Sequence, residues 1–205
     1  MPHALLIHFP ANFANMSNPL TDYLQLFGNI PADDQETILA ATTFRTFKED
    51  DILAGSGRIC RDFFFICKGV LRIVSENDKG NEVIHYFLKE NQFCTILHSF
   101  TNQVPTSESI QAACDAEVIA FQYDSLYELY KRLPYFEALM NRIVQQGLLD
   151  KINMRNAYLG EDSTTRYQQF MIRQPDIALR VSMSDVASYL GITRQSLSRI
   201  RKNIR

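Results

Sequence analysis

The chain has 205 residues, 46% hydrophobic and 21% charged. That is the composition of one ordinary globular domain or two small ones, and it excludes a mainly disordered or low-complexity chain. No stretch approaches the roughly 18 uninterrupted apolar residues of a membrane span, so no membrane is expected as a partner. The start, Met1 to Phe13, lacks a basic leader and is broken by His3, His8 and Pro10, which makes it a poor export signal. Cys60, Cys67, Cys94 and Cys114 have no paired spacing and read as reduced thiols of a cytoplasmic protein. The net charge of −2 is uneven. In the last 26 residues Arg180, Arg194, Arg199, Arg201, Lys202 and Arg205 stand against one acid, Asp185, a net of +5 that leaves −7 on the rest. A basic tail on an acidic body suits a polyanion partner or a solvated helix end, and charge alone leaves both open.

Residues from about 19 to 48 read as short helices with a turn at Gly28-Asn29-Ile30-Pro31. From about 51 to 123 the chain reads as β. Phe63 to Cys67 and Val70 to Val74 are short apolar runs split by Lys68-Gly69. Asn77 to Asn81 is a turn cluster, and Val83 to Leu88 follows as an aromatic and β-branched run. Ile110, Ala112 and Cys114 alternate with polar or small residues, Asp115-Ala116 turns the chain, and Val118 to Phe121 is the last run. Strands at this spacing predict an antiparallel sandwich or barrel. Cys60, Cys67 and Cys114 are expected as buried strand residues.

After Tyr123 the pattern becomes helical. Ser125 and Glu128 have the spacing of a capping box, and Pro134 suits the first position of a longer helix. Phe136, Leu139, Met140, Ile143, Val144, Leu148 and Ile152 then recur at helical steps. So broad a stripe fits either a helix packed on its own core or one that also meets a second copy. Gly147 lies inside it, at a cost of about 1 kcal/mol against alanine unless a close approach offsets it. The pattern breaks at Gly160 to Thr165, the best hinge candidate.

The most specific feature is Val181 to Ile200, which reads as two helices crossing through a tight turn. Ala187 is small where they touch, and Gly191 falls where the chain turns. Val186, Leu190, Ile192, Leu197 and Ile200 supply the apolar faces, and Thr193 caps the second helix. This is the spacing of a helix-turn-helix. Arg194, Gln195 and Arg199 project from the second helix. Arginine bonds guanine O6 and N7 in pairs, and glutamine bonds adenine likewise, so these three are the candidate base readers in a major groove. Arg201, Lys202 and Arg205 follow as candidates to neutralise phosphates. Ser196 and Ser198 lie between the readers.

These segments resemble the Crp/Fnr family of bacterial transcription regulators, from about Pro19 onward. Phe63 to Ile73 looks like the family's strand-glycine-strand signature, and Gly80 with the strand at Val83 looks like its next hairpin. Ser188 to Thr193 and Ser196 to Arg201 resemble the helix-turn-helix of short Bacteroidetes-type members. The resemblance implies an α+β chain: an N-terminal cyclic-nucleotide-binding-like β jelly roll (1–133), a long dimerisation helix with hinge (134–160) and a C-terminal DNA-binding domain (161–205). The recognition helix ends too near Arg205 for the terminal wing strands of longer members. By resemblance, Arg194, Gln195 and Arg199 contact bases while Thr193 and Ser196 contact phosphate, and Ser198 joins the phosphate set.

Family members that bind cyclic AMP carry a Gly-Glu pair for the ribose and an Arg-Ser pair for the phosphate. The matching stretch here makes Phe93, Cys94, Thr95, Thr106 and Ser107 the candidate effector pocket, with Thr106 in the arginine position and Glu108 beside it. A cyclic phosphate without its cation would lose a contact of roughly 1.5–3 kcal/mol, or one to two orders of magnitude in affinity. Cyclic AMP is therefore not the expected effector; another small molecule or none is. No metal is expected, since His85 and His98 lack a second ligand at suitable spacing and the cysteines are dispersed. No nucleophile motif or phosphate loop marks an enzyme.

The chain thus reads as a cytoplasmic homodimeric transcription regulator on a palindromic double-stranded DNA operator, with RNA polymerase as a further partner. The alternative is a ligand sensor whose C-terminal hairpin contacts protein.

Overall fold

The structure, a computed structural model, describes residues 18–204; Met1 to Phe13, read above for an export signal, and Arg205 lie outside them. Two short helices come first, α1 (Pro19–Gln25) and α2 (Ala32–Ala40). Asn18 accepts the Leu20 N–H, and Pro19 holds the first helical position, where its missing N–H is no loss. Eight strands follow: β1 (Thr42–Phe47), β2 (Ile52–Ala54), β3 (Asp62–Lys68), β4 (Val70–Glu76), β5 (Glu82–Lys89), β6 (Phe93–Cys94), β7 (Glu108–Ala112) and β8 (Ala116–Gln122). A helix, α3 (Leu97–Asn102), sits between β6 and β7. The sheets are antiparallel, in the orders β1-β8-β3-β6 and β2-β7-β4-β5, and their interleaving makes a jelly roll.

The helical reading through residue 48 is corrected at Thr42. Thr42–Phe47 is rich in β-branched and aromatic residues, and it pairs along its length with β8, from Thr42↔Phe121 to Phe47↔Ala116. Alternation of side chains across a strand explains the run of phenylalanines. Phe64 and Ile66 point between the sheets with Leu71, Ile110 and Val118. Phe63 and Phe65 point outward into a second core formed with α1 and two later helices, α4 (Tyr123–Arg132) and α5 (Pro134–Asn156). A strand covered on both faces needs no polar alternation. Gly69, at φ +96°, lets β4 start against the Asp115–Ala116 turn, where a Cβ would run into the Asp115 carbonyl oxygen.

The capping box is also corrected. Strand β8 passes directly into α4, whose first residue is Tyr123, so Ser125 is already inside the helix and Gln122 makes no side-chain cap. Pro134 does open α5. The apolar stripe of α5 divides along its length. Phe136, Leu139, Met140 and Ile143 are buried on the barrel, whereas Leu148, Leu149 and Ile152 remain exposed. Cys67 lies in β3, but Cys60 just precedes that strand and Cys114 follows β7 in a turn. Burial pushes the Cys67 and Cys94 thiols up to about 12, which keeps them protonated and unreactive.

Beyond Gly160 come α6 (Ser163–Arg173), α7 (Pro175–Ala178), α8 (Met183–Tyr189) and α9 (Arg194–Ile204). Asp162 caps α6 through the Thr164 and Thr165 N–H groups. These helices share a third core, including Phe170, Ile177, Val186 and Leu197, with Val70, Val74, Ile84 and Phe87 on the outer face of the second sheet. The order across the molecule is helices, first sheet, second sheet, helices. Among the described residues no strand follows Gln122, and no helix is long and apolar enough to cross a membrane.

Candidate nucleic-acid interface

Helices α8 and α9 are locked by the residues the spacing predicted. Ala187, Leu190 and Leu197 are buried at the crossing. Gly191 turns the chain at φ +65°, and the turn closes with Gly191 N–H to Ser188 O and Ile192 N–H to Ala187 O, both 3.0 Å. Thr193 accepts the Ser196 N–H at 3.1 Å, so it caps α9 as expected. The Ser196 hydroxyl lies 2.9 Å from Thr193 Oγ1; a phosphate would have to compete with that bond.

At about 100° per residue, Arg194, Gln195, Ser198, Arg199 and Lys202 share one face of α9, while Ser196, Leu197 and Ile200 take the opposite one. All five on the first face are exposed, and among the described residues none of its cations is in an ion pair. Arg201 is also exposed, but its guanidinium lies 2.7 Å from Met183 Sδ. Arg205 falls outside the described residues.

The opposite helix of the pair is heavily engaged. Ser188 Oγ accepts the Ile84 N–H and donates to the Glu82 carbonyl, both at 3.1 Å. It thereby satisfies part of the free edge of β5. Asp185 accepts from Arg72 at 2.8 Å. That arginine is buried in β4, and it also binds Asp50 at 2.7 Å and Gln111 at 2.9 Å. Two more pairs cross the same boundary: Arg180 with Glu90 in a two-pronged contact, and Lys89 with Asp176. Burial alone would raise the Glu90 carboxyl, but Arg180 and the Gly69 N–H together hold it below its ordinary range. Sequence reasoning missed this network. Its members lie up to 113 positions apart, and only the isolated Asp185 in a basic segment hinted at a partner.

The five candidate effector residues are not gathered on one cavity. Phe93 and Thr95 line a cavity of about 290 Å³ between β5, β6, α5 and α7. Cys94 faces the interior of the roll. Thr106 and Ser107 lie in the loop before β7, where Thr106 Oγ1 accepts the Glu108 N–H at 3.0 Å. Phe63 and Phe93 stack 5.0 Å apart, and the space between the sheets is occupied by apolar side chains. Among the described residues no cluster of three or more His, Cys, Asp or Glu could hold a metal ion.

Residues 44–133 match the family described as the cyclic nucleotide-binding domain. Over 186 residues the chain is 21% identical to the cAMP-activated global transcriptional regulator Vfr of Pseudomonas aeruginosa, covering 82% of this chain and 85% of that one. Its fold is similar to that of CLP, the c-di-GMP-responsive global regulator of Xanthomonas campestris, at a TM-score of 0.66 and 16% identity, with 85% and 91% of the two chains covered. A transcriptional regulator assigned to the Crp/Fnr family from Eubacterium rectale is similar at a TM-score of 0.69 and 16% identity, with 89% and 87% covered. These relatives are regulators rather than enzymes.

Proposed function

We propose, from the premise that this chain is of the Crp/Fnr type with a cyclic nucleotide-binding domain over residues 44–133, that it is a sequence-specific DNA-binding transcription regulator. The observation that carries this reading is the exposed face of Arg194, Gln195 and Arg199, free of ion pairs among the described residues, on a helix whose other face is locked by Leu197. Side chains of these types at a helix N-terminal end suit base edges in the major groove. Thr193, Ser196, Ser198, Arg201 and Lys202 flank them for phosphate contact. The test is duplex binding against salt. Affinity should fall steeply as salt rises, because each neutralised phosphate releases counterions; a hairpin that meets protein instead gives no such slope.

The working unit proposed is a homodimer through α5, in a chain divided at 133/134 and 160/161. Leu148, Leu149 and Ile152 are 42%, 54% and 54% exposed, an apolar strip that one chain leaves uncovered and a second copy would bury. Twofold symmetry then favours a palindrome with half-sites about one helical turn apart. The effector proposed is a small molecule other than cyclic AMP. Thr106 offers no cation, and its hydroxyl is already bound to the Glu108 N–H. Calorimetry should show no micromolar binding of cyclic AMP.

A further inference from the structure

A cavity of about 530 Å³ lies where β5, the end of α5, α6 and the α8–α9 turn meet, a size ordinary for a cofactor or nucleotide site. Its walls carry Lys151, Arg155 and Arg166 together with His85, and among the described residues no aspartate or glutamate lines it. Among the described residues neither Lys151 nor either arginine is in an ion pair. Arg166 is the most telling of them. Among the described residues its buried Nε has no hydrogen-bond partner, a state that costs free energy unless something else supplies an acceptor. Its Nη2 donates to Ser163 Oγ at 3.4 Å. The Asp162 carboxyl is lowered chiefly by the Thr165 and Thr164 N–H groups it accepts, and only last by the charge of Arg166.

The remaining wall is aromatic. Tyr86, Tyr158 and Tyr189 line the cavity, and Tyr158 and Tyr189 are fixed by Gln174 Nε2, which donates to both hydroxyls at 2.9 and 3.1 Å. Lys151 Nζ lies 4.9 Å from the Tyr86 ring centre. Three cations and three aromatic rings on one cavity, two of the rings held by Gln174 and no carboxylate among the described lining, fit a planar ring joined to a multiply charged phosphate.

We infer that this cavity binds a nucleotide-like phosphate ester carrying more than one negative charge, at a site shared by the barrel, the long helix and the DNA-binding helices. A cyclic phosphodiester, with a single charge, matches three cations poorly. Because β5 lies on one side and Ser188 to Gly191 on the other, the ligand favours this arrangement of the two domains over any that separates them. The site itself stands without the DNA-binding reading; only its consequence for DNA rests on that reading.

The test uses the full chain without DNA, so its failure is distinct from failure of the regulator assignment. Guanosine 5′-diphosphate, cyclic GMP and guanosine are titrated by calorimetry. Affinity should fall in that order, with guanosine silent. Arg166→Gln and Arg155→Gln should each weaken the diphosphate about ten- to a hundredfold, while Arg132→Gln, exposed at the end of α4 and outside the cavity, should not. Arg155 is exposed, so its variant reports even if Arg166→Gln disturbs folding. Equal binding of the three probes, no binding of the diphosphate, or unchanged binding in Arg155→Gln would each overturn the inference.

Discussion

The two helices of the helix-turn-helix differ in what their polar groups do. On α8, Asp185 and Ser188 are committed to Arg72, Ile84 and Glu82 of the barrel. On α9, Arg194, Gln195 and Arg199 are exposed, and neither arginine is in an ion pair among the described residues. The first set is spent on holding the domain in place. The second is left hydrated, and cations kept solvated on a fixed helix face can exchange water for a polyanion at little cost. The contrast separates a docking face from an exposed face, the one proposed to read bases, within one small motif.

The comparison breaks most completely at Leu197, which is fully buried and holds α9 on α8. Leu197→Ala should cost about 2–5 kcal/mol in a urea melt and abolish DNA binding with it. Asp185→Ala should next loosen the docking face, by about 1.5–3 kcal/mol for lost charged hydrogen bonds, read as faster proteolysis between Gly160 and Ser182. The proposed reading face should answer differently. Arg199→Ala should leave the melt unchanged yet lose about 1–3 kcal/mol of discrimination at one base pair. Lys202→Ala should weaken all sequences alike and reduce the salt slope by about one.

The smallest effect expected is one of pH. The folded Glu90 carboxyl is held below its ordinary value, so its contribution to docking is fully present above the ordinary carboxylate value of about 4.3 and is lost as pH falls through the lowered one. Proteolysis of the hinge in wild type should therefore speed up below that pH, and Glu90→Gln should flatten the profile.

Legibility followed the range of the physics. The helix-turn-helix was readable because Ala187, Gly191, Thr193 and Leu197 meet within one short segment, where spacing fixes geometry. Strands β3 to β5 were readable from local apolar runs and the turn at Asn77 to Asn81. Strand β1 was misread although Thr42 to Phe47 is rich in β-branched and aromatic residues, because two helices precede it and only pairing with distant β8 decides its state. The α5 stripe was readable, but where it changes from covered to open depends on where the barrel ends. Sequence could not show that Arg72 meets Asp185, nor that His85, Lys151, Arg155 and Arg166 converge, since each pairing is made by tertiary docking.

The most direct measurement is selection of duplexes from a random pool by wild type and by Arg199→Ala. Wild type should enrich a palindrome, and the variant should lose preference at one position in each half-site while the others persist. If wild type enriches no motif, or if the variant enriches the same one, α9 does not read bases and the proposed function is wrong.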